Sequence, residues 1–133
     1  MRWARMRRLI LAALMLAGCT TAPLAPNVTG KPLAGIWRAA SGQTLSISLF
    51  SSFATQSGCT ITGGMLQPLG DGLYRIDRFE TGHGSDRCGP WRSGPAIAPF
   101  DGAQVRLERR GDTLVAAGPG RQVAFHWVAR SPV

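Results

Sequence analysis

Apolar and polar residues alternate along several short runs of this chain, and glycine punctuates the intervals between them. Leu45, Ile47 and Leu49 alternate with Thr44, Ser46 and Ser48. Val105 and Leu107 alternate with Gln104, Arg106 and Glu108, and Val123, Phe125 and Trp127 with Ala124, His126 and Val128. Successive side chains leave a strand on opposite sides, so a period of two marks a strand with one buried face. Leu73 to Phe79 is also strand-like. Its apolar residues Leu73, Tyr74, Ile76 and Phe79 change face midway, which predicts a bulge or a twisted edge. Turns are expected at Ser41-Gly42, Gly63-Gly64, Gly70-Asp71-Gly72, Gly111-Asp112 and Gly118-Pro119-Gly120. Connections this short pair neighbouring strands antiparallel. The 17 Gly and 9 Pro leave little room for helix. The one helical candidate, Ser93 to Asp101, is held to a turn or two by Pro95 and Pro99. The expected fold is mainly β: a small antiparallel β-barrel, open or closed, with at most one short helix and a filled interior.

The first residues follow a different logic. Arg2, Arg5, Arg7 and Arg8 precede a continuous apolar run from Leu9 to Ala17, with no acid among them. A basic segment followed by a short apolar one is a secretory signal, and this run is too short to span a bilayer as a helix. The segment ends Leu16-Ala17-Gly18-Cys19, which resembles the bacterial lipobox. That resemblance implies cleavage after residue 18, acylation of Cys19, and a membrane partner reached through the N-terminal lipid. Thr20 stands where an Asp would retain the lipoprotein at the inner membrane, so the resemblance implies an outer-membrane location with the domain facing the periplasm of a Gram-negative cell. Residues 20–31 hold two prolines and small residues without apolar periodicity. The chain is thus expected to divide into a signal (1–18), a tether (19–31) and one β domain (32–129).

Removal of the signal corrects the charge. The full chain carries +8, but four of its 15 basic residues lie in the first eight positions, leaving +4 on the remaining 115 residues. Those that remain are scattered and not interleaved with aromatics in a single-strand-binding pattern, so no nucleic-acid partner is expected. The length suffices for one small domain.

Beyond Cys19 the chain has two cysteines, Cys59 and Cys88. In an oxidising compartment such a pair is expected to form a disulfide, closing a loop that contributes roughly 3 kcal/mol in the chain-entropy account. A metal or redox pair is the alternative. The positions of His83, Cys88, Cys59 and His126 match no standard zinc spacing, so no metal and no cofactor are expected.

Several motifs together resemble the META domain, the HslJ-like family of bacterial envelope lipoproteins. They are Leu33-Ala34-Gly35-Ile36-Trp37, then Gly58-Cys59-Thr60 with Gly63-Gly64, then a strand leading to Thr81 and Cys88. Gly111-Asp112-Thr113-Leu114 and the apolar segment Gln122 to Val128 complete the set. The chain differs from the family in Thr60, where Asn is usual, in a longer spacing from Thr81 to Cys88, and in a Gly/Pro segment where a helix normally follows. The resemblance implies a small open β-barrel, no enzymatic activity, and a role in envelope integrity or stress; it supplies no catalytic residues.

Glu80, His83, Ser85 and Asp86 supply the residue types of a catalytic triad within Glu80-Thr81-Gly82-His83-Gly84-Ser85-Asp86-Arg87. Two glycines make this stretch read as a solvated loop, too loose to place a nucleophile against a base. Arg110-Gly111-Asp112 spells an adhesion tripeptide but has the composition of a tight turn. His126 is expected to face away from Phe125 and Trp127. Trp37 and Trp127 are expected to face the core where first and last strands meet. Trp91, on a loop beside the expected disulfide and flanked by Arg87 and Arg92, is the candidate recognition patch for an envelope protein or glycan. The alternative for Trp91 is a lid over the core. For the whole protein, the alternatives to an envelope-binding lipoprotein are an inhibitor of a secreted protease or lysozyme and, more remotely, an enzyme using His83.

Overall fold

In the computed structural model the described residues are 33–131. The signal, Cys19 and the tether lie outside them. Nine strands run in order: β1 Gly35–Ala39, β2 Thr44–Ile47, β3 Ser52–Ser57, β4 Thr60–Gly70, β5 Leu73–Ser85, β6 Gly89–Ser93, β7 Gln104–Arg110, β8 Thr113–Gly118 and β9 Arg121–Ala129. All pairings are antiparallel. The sheet order is β4-β3-β2-β1-β9-β8-β7-β5-β6, and β4 also pairs with β5, which turns the sheet into a ring of strands. The mainly β expectation holds, as do the turns at Gly42, Gly70–Gly72, Gly111 and Gly120.

The ring has two rims. Residue 33, the β2–β3 turn, the β4–β5 turn and the β7–β8 turn share one rim with the end of β9. The β1–β2, β3–β4, β5–β6 and β8–β9 turns occupy the other. β5 is long enough to serve two partners on one edge: Leu73–Arg75 pairs with β7, and Gly82–Ser85 pairs with β6. β6 therefore hangs on the far half of β5, with its own outer edge unpaired by any strand among the described residues.

The alternating runs predicted from sequence point inward. Trp37, Leu45, Ile47, Leu107, Leu114 and Phe125 are all buried, and Trp37, Phe100 and Phe125 are fully enclosed. These large side chains fill the ring. Leu49 departs from the pattern: β2 ends at Ile47, and Leu49 stands on the following turn, 48% exposed.

Two expectations are corrected. Gly63-Gly64 is not a turn but lies inside β4, and the turn falls earlier, at Gly58-Cys59, with Gly58 at φ +60°. The glycines serve a bulge. Gly63 pairs with Glu80 and Gly64 with Arg78, leaving Phe79 as the extra residue of β5, 74% exposed. This is the face change expected between Leu73 and Phe79. A Cβ on Gly64 would collide with the backbone of Asp77 and Arg78, so side-chain absence is what permits the bulge.

The second correction concerns residues 94–101, which form no helix. They cross the rim opposite residue 33 as an irregular segment whose Ala98–Pro99 peptide is cis, and drop Phe100 into the ring. Phe100 stacks on Phe53 with ring centroids 5.1 Å apart. Side chains from two strands and one turn replace the hydrogen bonds that a helix would have made. Thr62 Oγ1 accepts from the Ile97 amide (2.9 Å), and Gln43 Nε2 donates to Ala98 O (3.1 Å) and to Thr55 Oγ1 (2.9 Å). Thr81 Oγ1 donates to Gly94 O (3.2 Å). Arg78 reaches the carbonyls of Phe100 and Gly102 from outside. Thr55 and Thr62 are fully buried and satisfied, so the network closes the rim without leaving an orphaned polar group.

Candidate functional site

Cys59 and Cys88 are bonded, with Cα atoms 5.9 Å apart. The disulfide ties the turn between β3 and β4 to the turn between β5 and β6. Ser85 builds that second turn: its Oγ accepts from the amides of Arg87 (3.2 Å) and Cys88 (3.1 Å), and its carbonyl accepts from Cys88 N–H (3.1 Å). The result is a stapled hairpin on the rim away from residue 33.

This placement corrects the expected loop. Glu80 to Ser85 are part of β5, and Trp91 lies on β6, a strand and not a loop. Gly82 and Gly84, the apparent source of looseness, are buried. A Cβ on Gly82 would meet Trp91 Cζ2 at 2.7 Å and the backbone of Arg92; one on Gly84 would meet Trp91 Cα at 2.7 Å. The glycines thus form a shelf on which β6 and the Trp91 indole rest. Ile61, opposite Gly82 in the register, lies on the same face of the sheet.

Trp91 remains 43% exposed, and every residue of β6 is exposed. An indole seated on backbone and open on its other side presents rigid apolar area at low entropic cost. Consecutive strand residues point to opposite faces, so Arg92 does not join Trp91 on the shelf. It lies across from His83, on the face where His83 Nδ1 and Thr60 Oγ1 are 3.3 Å apart. Arg87 occupies the turn at the tip. The three expected patch residues therefore share one hairpin but divide between its two faces and its end. Arg87 and Arg92 have no ion pair or side-chain hydrogen bond among the described residues, whereas Arg75 pairs with Asp77 and Arg110 with Glu108.

The triad residue types do not assemble. Ser85 Oγ is occupied by backbone amides of its own turn, and His83 faces Thr60. Among the described residues no three His, Cys, Asp or Glu side chains converge in a way that could hold a metal ion. His126 is exposed on the outer face of β9, as its position between Phe125 and Trp127 predicted.

Sequence reasoning missed the support beneath Trp91. The signal was present as Gly-x-Gly seven residues before Trp91, but glycine spacing alone does not distinguish a loop from a strand on which an aromatic lies. No family model, curated protein or solved structure matches the chain.

Proposed function

We propose that this protein is a non-catalytic, lipid-anchored envelope protein with a META-like β domain, which binds an envelope protein or glycan through the stapled β5–β6 hairpin in support of envelope integrity or stress tolerance. The observation that carries the proposal is the half-exposed Trp91, held on Gly82 and Gly84 and braced by Cys59–Cys88. A pre-organised aromatic loses little freedom on binding, which is how a small surface gains affinity. Its place is consistent with an anchor at Cys19: the hairpin stands on the rim away from residue 33, where it would face away from the membrane. Outer-membrane placement follows from Thr20 in the lipobox resemblance.

A second reading has a specific observation in its favour. The hairpin carries an aromatic on one face and arginine on the other, and the outer edge of β6 pairs with no strand among the described residues. Those features suit insertion into the cleft of a secreted protease or lysozyme, with the partner's backbone adding to the β6 edge.

Affinity capture from native envelope, with the full-length protein and a Trp91→Ala/Arg92→Ala variant, tests both. The proposal expects a partner that the variant loses. A glycan or structural protein among the lost partners supports the first reading, and a hydrolase inhibited stoichiometrically supports the second. Identical partners for both proteins would refute the hairpin as the binding element.

A further inference from the structure

The rim that carries residue 33 has its own unusual feature. The turn Ser48-Leu49-Phe50-Ser51 between β2 and β3 puts its two apolar residues outward, Leu49 at 48% and Phe50 at 75% exposure. It does so rigidly. Ser48 Oγ accepts from the amides of Phe50 (3.2 Å) and Ser52 (3.1 Å) and lies 2.6 Å from Ser52 Oγ. Ser48 N–H donates to Ser52 O (2.9 Å), Ser51 N–H to Ser48 O (3.2 Å), and Leu66 N–H to Ser51 O (2.9 Å). Ser51 is held in the left-handed region at φ +68°, a conformation that a serine adopts only when its surroundings impose it. Leu69, 47% exposed, stands near the end of β4, at the irregularity beside the β4–β5 turn of the same rim.

We propose that the Leu49–Phe50 tip inserts into the interfacial layer of the membrane, fixing the orientation of the domain. This rests on the reading of Cys19 as the acylated residue. The occupant is identified by where the rest of the chain ends. Only thirteen residues separate Cys19 from Leu33, so the rim that carries Leu33 is the part of the described domain nearest the anchor along the chain. A domain of this size has a radius of gyration of about 13 Å, so a short connection to Cys19 brings this rim to the bilayer more readily than the stapled hairpin on the opposite rim. Tethering supplies an effective lipid concentration high enough for a two-residue tip to suffice. Rim charge is nearly balanced: the turns and strand ends of this rim carry Arg106, Arg109, Arg110 and Arg130 with Asp71, Glu108 and Asp112, Arg106 reaching the Asp71 carbonyl and Arg110 pairing with Glu108. Apolar insertion is thus the source of contact, and the dependence on anionic lipid is weak.

The test uses full-length protein matured in a Gram-negative host and reconstituted into vesicles of phosphatidylethanolamine, with and without phosphatidylglycerol, whose acyl chains carry bromine. Palmitate labelling of the parent and of Cys19→Ser reports the anchor separately. The tryptophan added by Phe50→Trp is expected to lose more than half its emission to the brominated lipid, in either composition. Phe79→Trp, an equally exposed reporter on the β5 bulge, is expected to lose little. An acylated, vesicle-bound protein in which neither reporter is quenched overturns the insertion while leaving the anchor intact. An unlabelled parent protein overturns both. Shielding of the Phe50→Trp indole that depends on protein concentration and not on lipid assigns the tip to a second copy of the chain, and also overturns the proposal.

Discussion

Trp127 of β9 stands directly opposite Trp37 of β1, their rings perpendicular (84°) with centroids 5.1 Å apart. This pair joins the first strand to the last. The guanidinium of Arg109 lies 5.1 Å from both centroids, a cation on two indoles at once. Trp37 Nε1 donates to Leu33 O (3.0 Å), and Gly35 provides the bare backbone over which Trp127 lies. Three positions of Leu33-Ala34-Gly35-Ile36-Trp37 therefore have separate physical tasks: an acceptor, a seat and a core anchor.

Trp37→Ala is expected to lower stability by about 3–5 kcal/mol, because it empties the largest fully buried site. Trp127→Ala, at a half-buried position, is expected to cost about 2 kcal/mol. Urea unfolding followed by far-ultraviolet circular dichroism measures both. Equal losses would mean that the seam, and not core volume, governs the effect.

Two adjacent glycines should differ sharply. Gly64→Ala puts a methyl into the Asp77 and Arg78 backbone, which cannot yield as a flexible side chain would, and is expected to cost about 2 kcal/mol. Gly63→Ala meets only Phe53 O, at an ordinary 3.5 Å, and is expected to change stability by less than about 0.5 kcal/mol. Thermal denaturation of the two variants side by side checks the bulge.

Reduction of Cys59–Cys88 is expected to destabilise the domain by about 3 kcal/mol. A Cys59→Ser/Cys88→Ser variant should match the reduced protein and be indifferent to reductant. A reductant effect that persists in that variant would show that the stabilisation attributed to this bond has another source.

Tyr74 adds an alkaline limit. Burial of its phenol raises its pKa above the ordinary 10.0. The unfolded chain releases this proton first, so the contribution is fully present below pH 10.0 and is lost as pH rises through the native value. Wild-type stability should therefore fall at strongly alkaline pH more steeply than that of Tyr74→Phe, as denaturant midpoints across the range would show.

The parts of the fold legible in sequence are those with local causes. Alternation placed Leu45, Ile47, Val105, Leu107 and Phe125 in the core, and the disulfide followed from two cysteines without other partners. What escaped depends on contacts distant in sequence. Gly63-Gly64 reads as a turn until Asp77 and Arg78 are seen against it. Gly82 and Gly84 read as a loose loop until Trp91 lies on them. Residues 94–101 look briefly helical because nothing local reveals that Gln43, Thr62 and Thr81 will take over their hydrogen bonds. At the candidate site, Arg87, Trp91 and Arg92 were legible as neighbours along the chain. Their division between two faces was not, since it requires knowing that residues 89–93 form a strand.

The most direct test of the proposed binding is photo-crosslinking from position 91 in full-length protein within intact cells, with position 126 on the outer face of β9 as the control. A discrete adduct is expected from position 91 that position 126 does not give, and that disappears on reduction of Cys59–Cys88. Identical adducts from both positions, or none from position 91 in the oxidised protein, would contradict it.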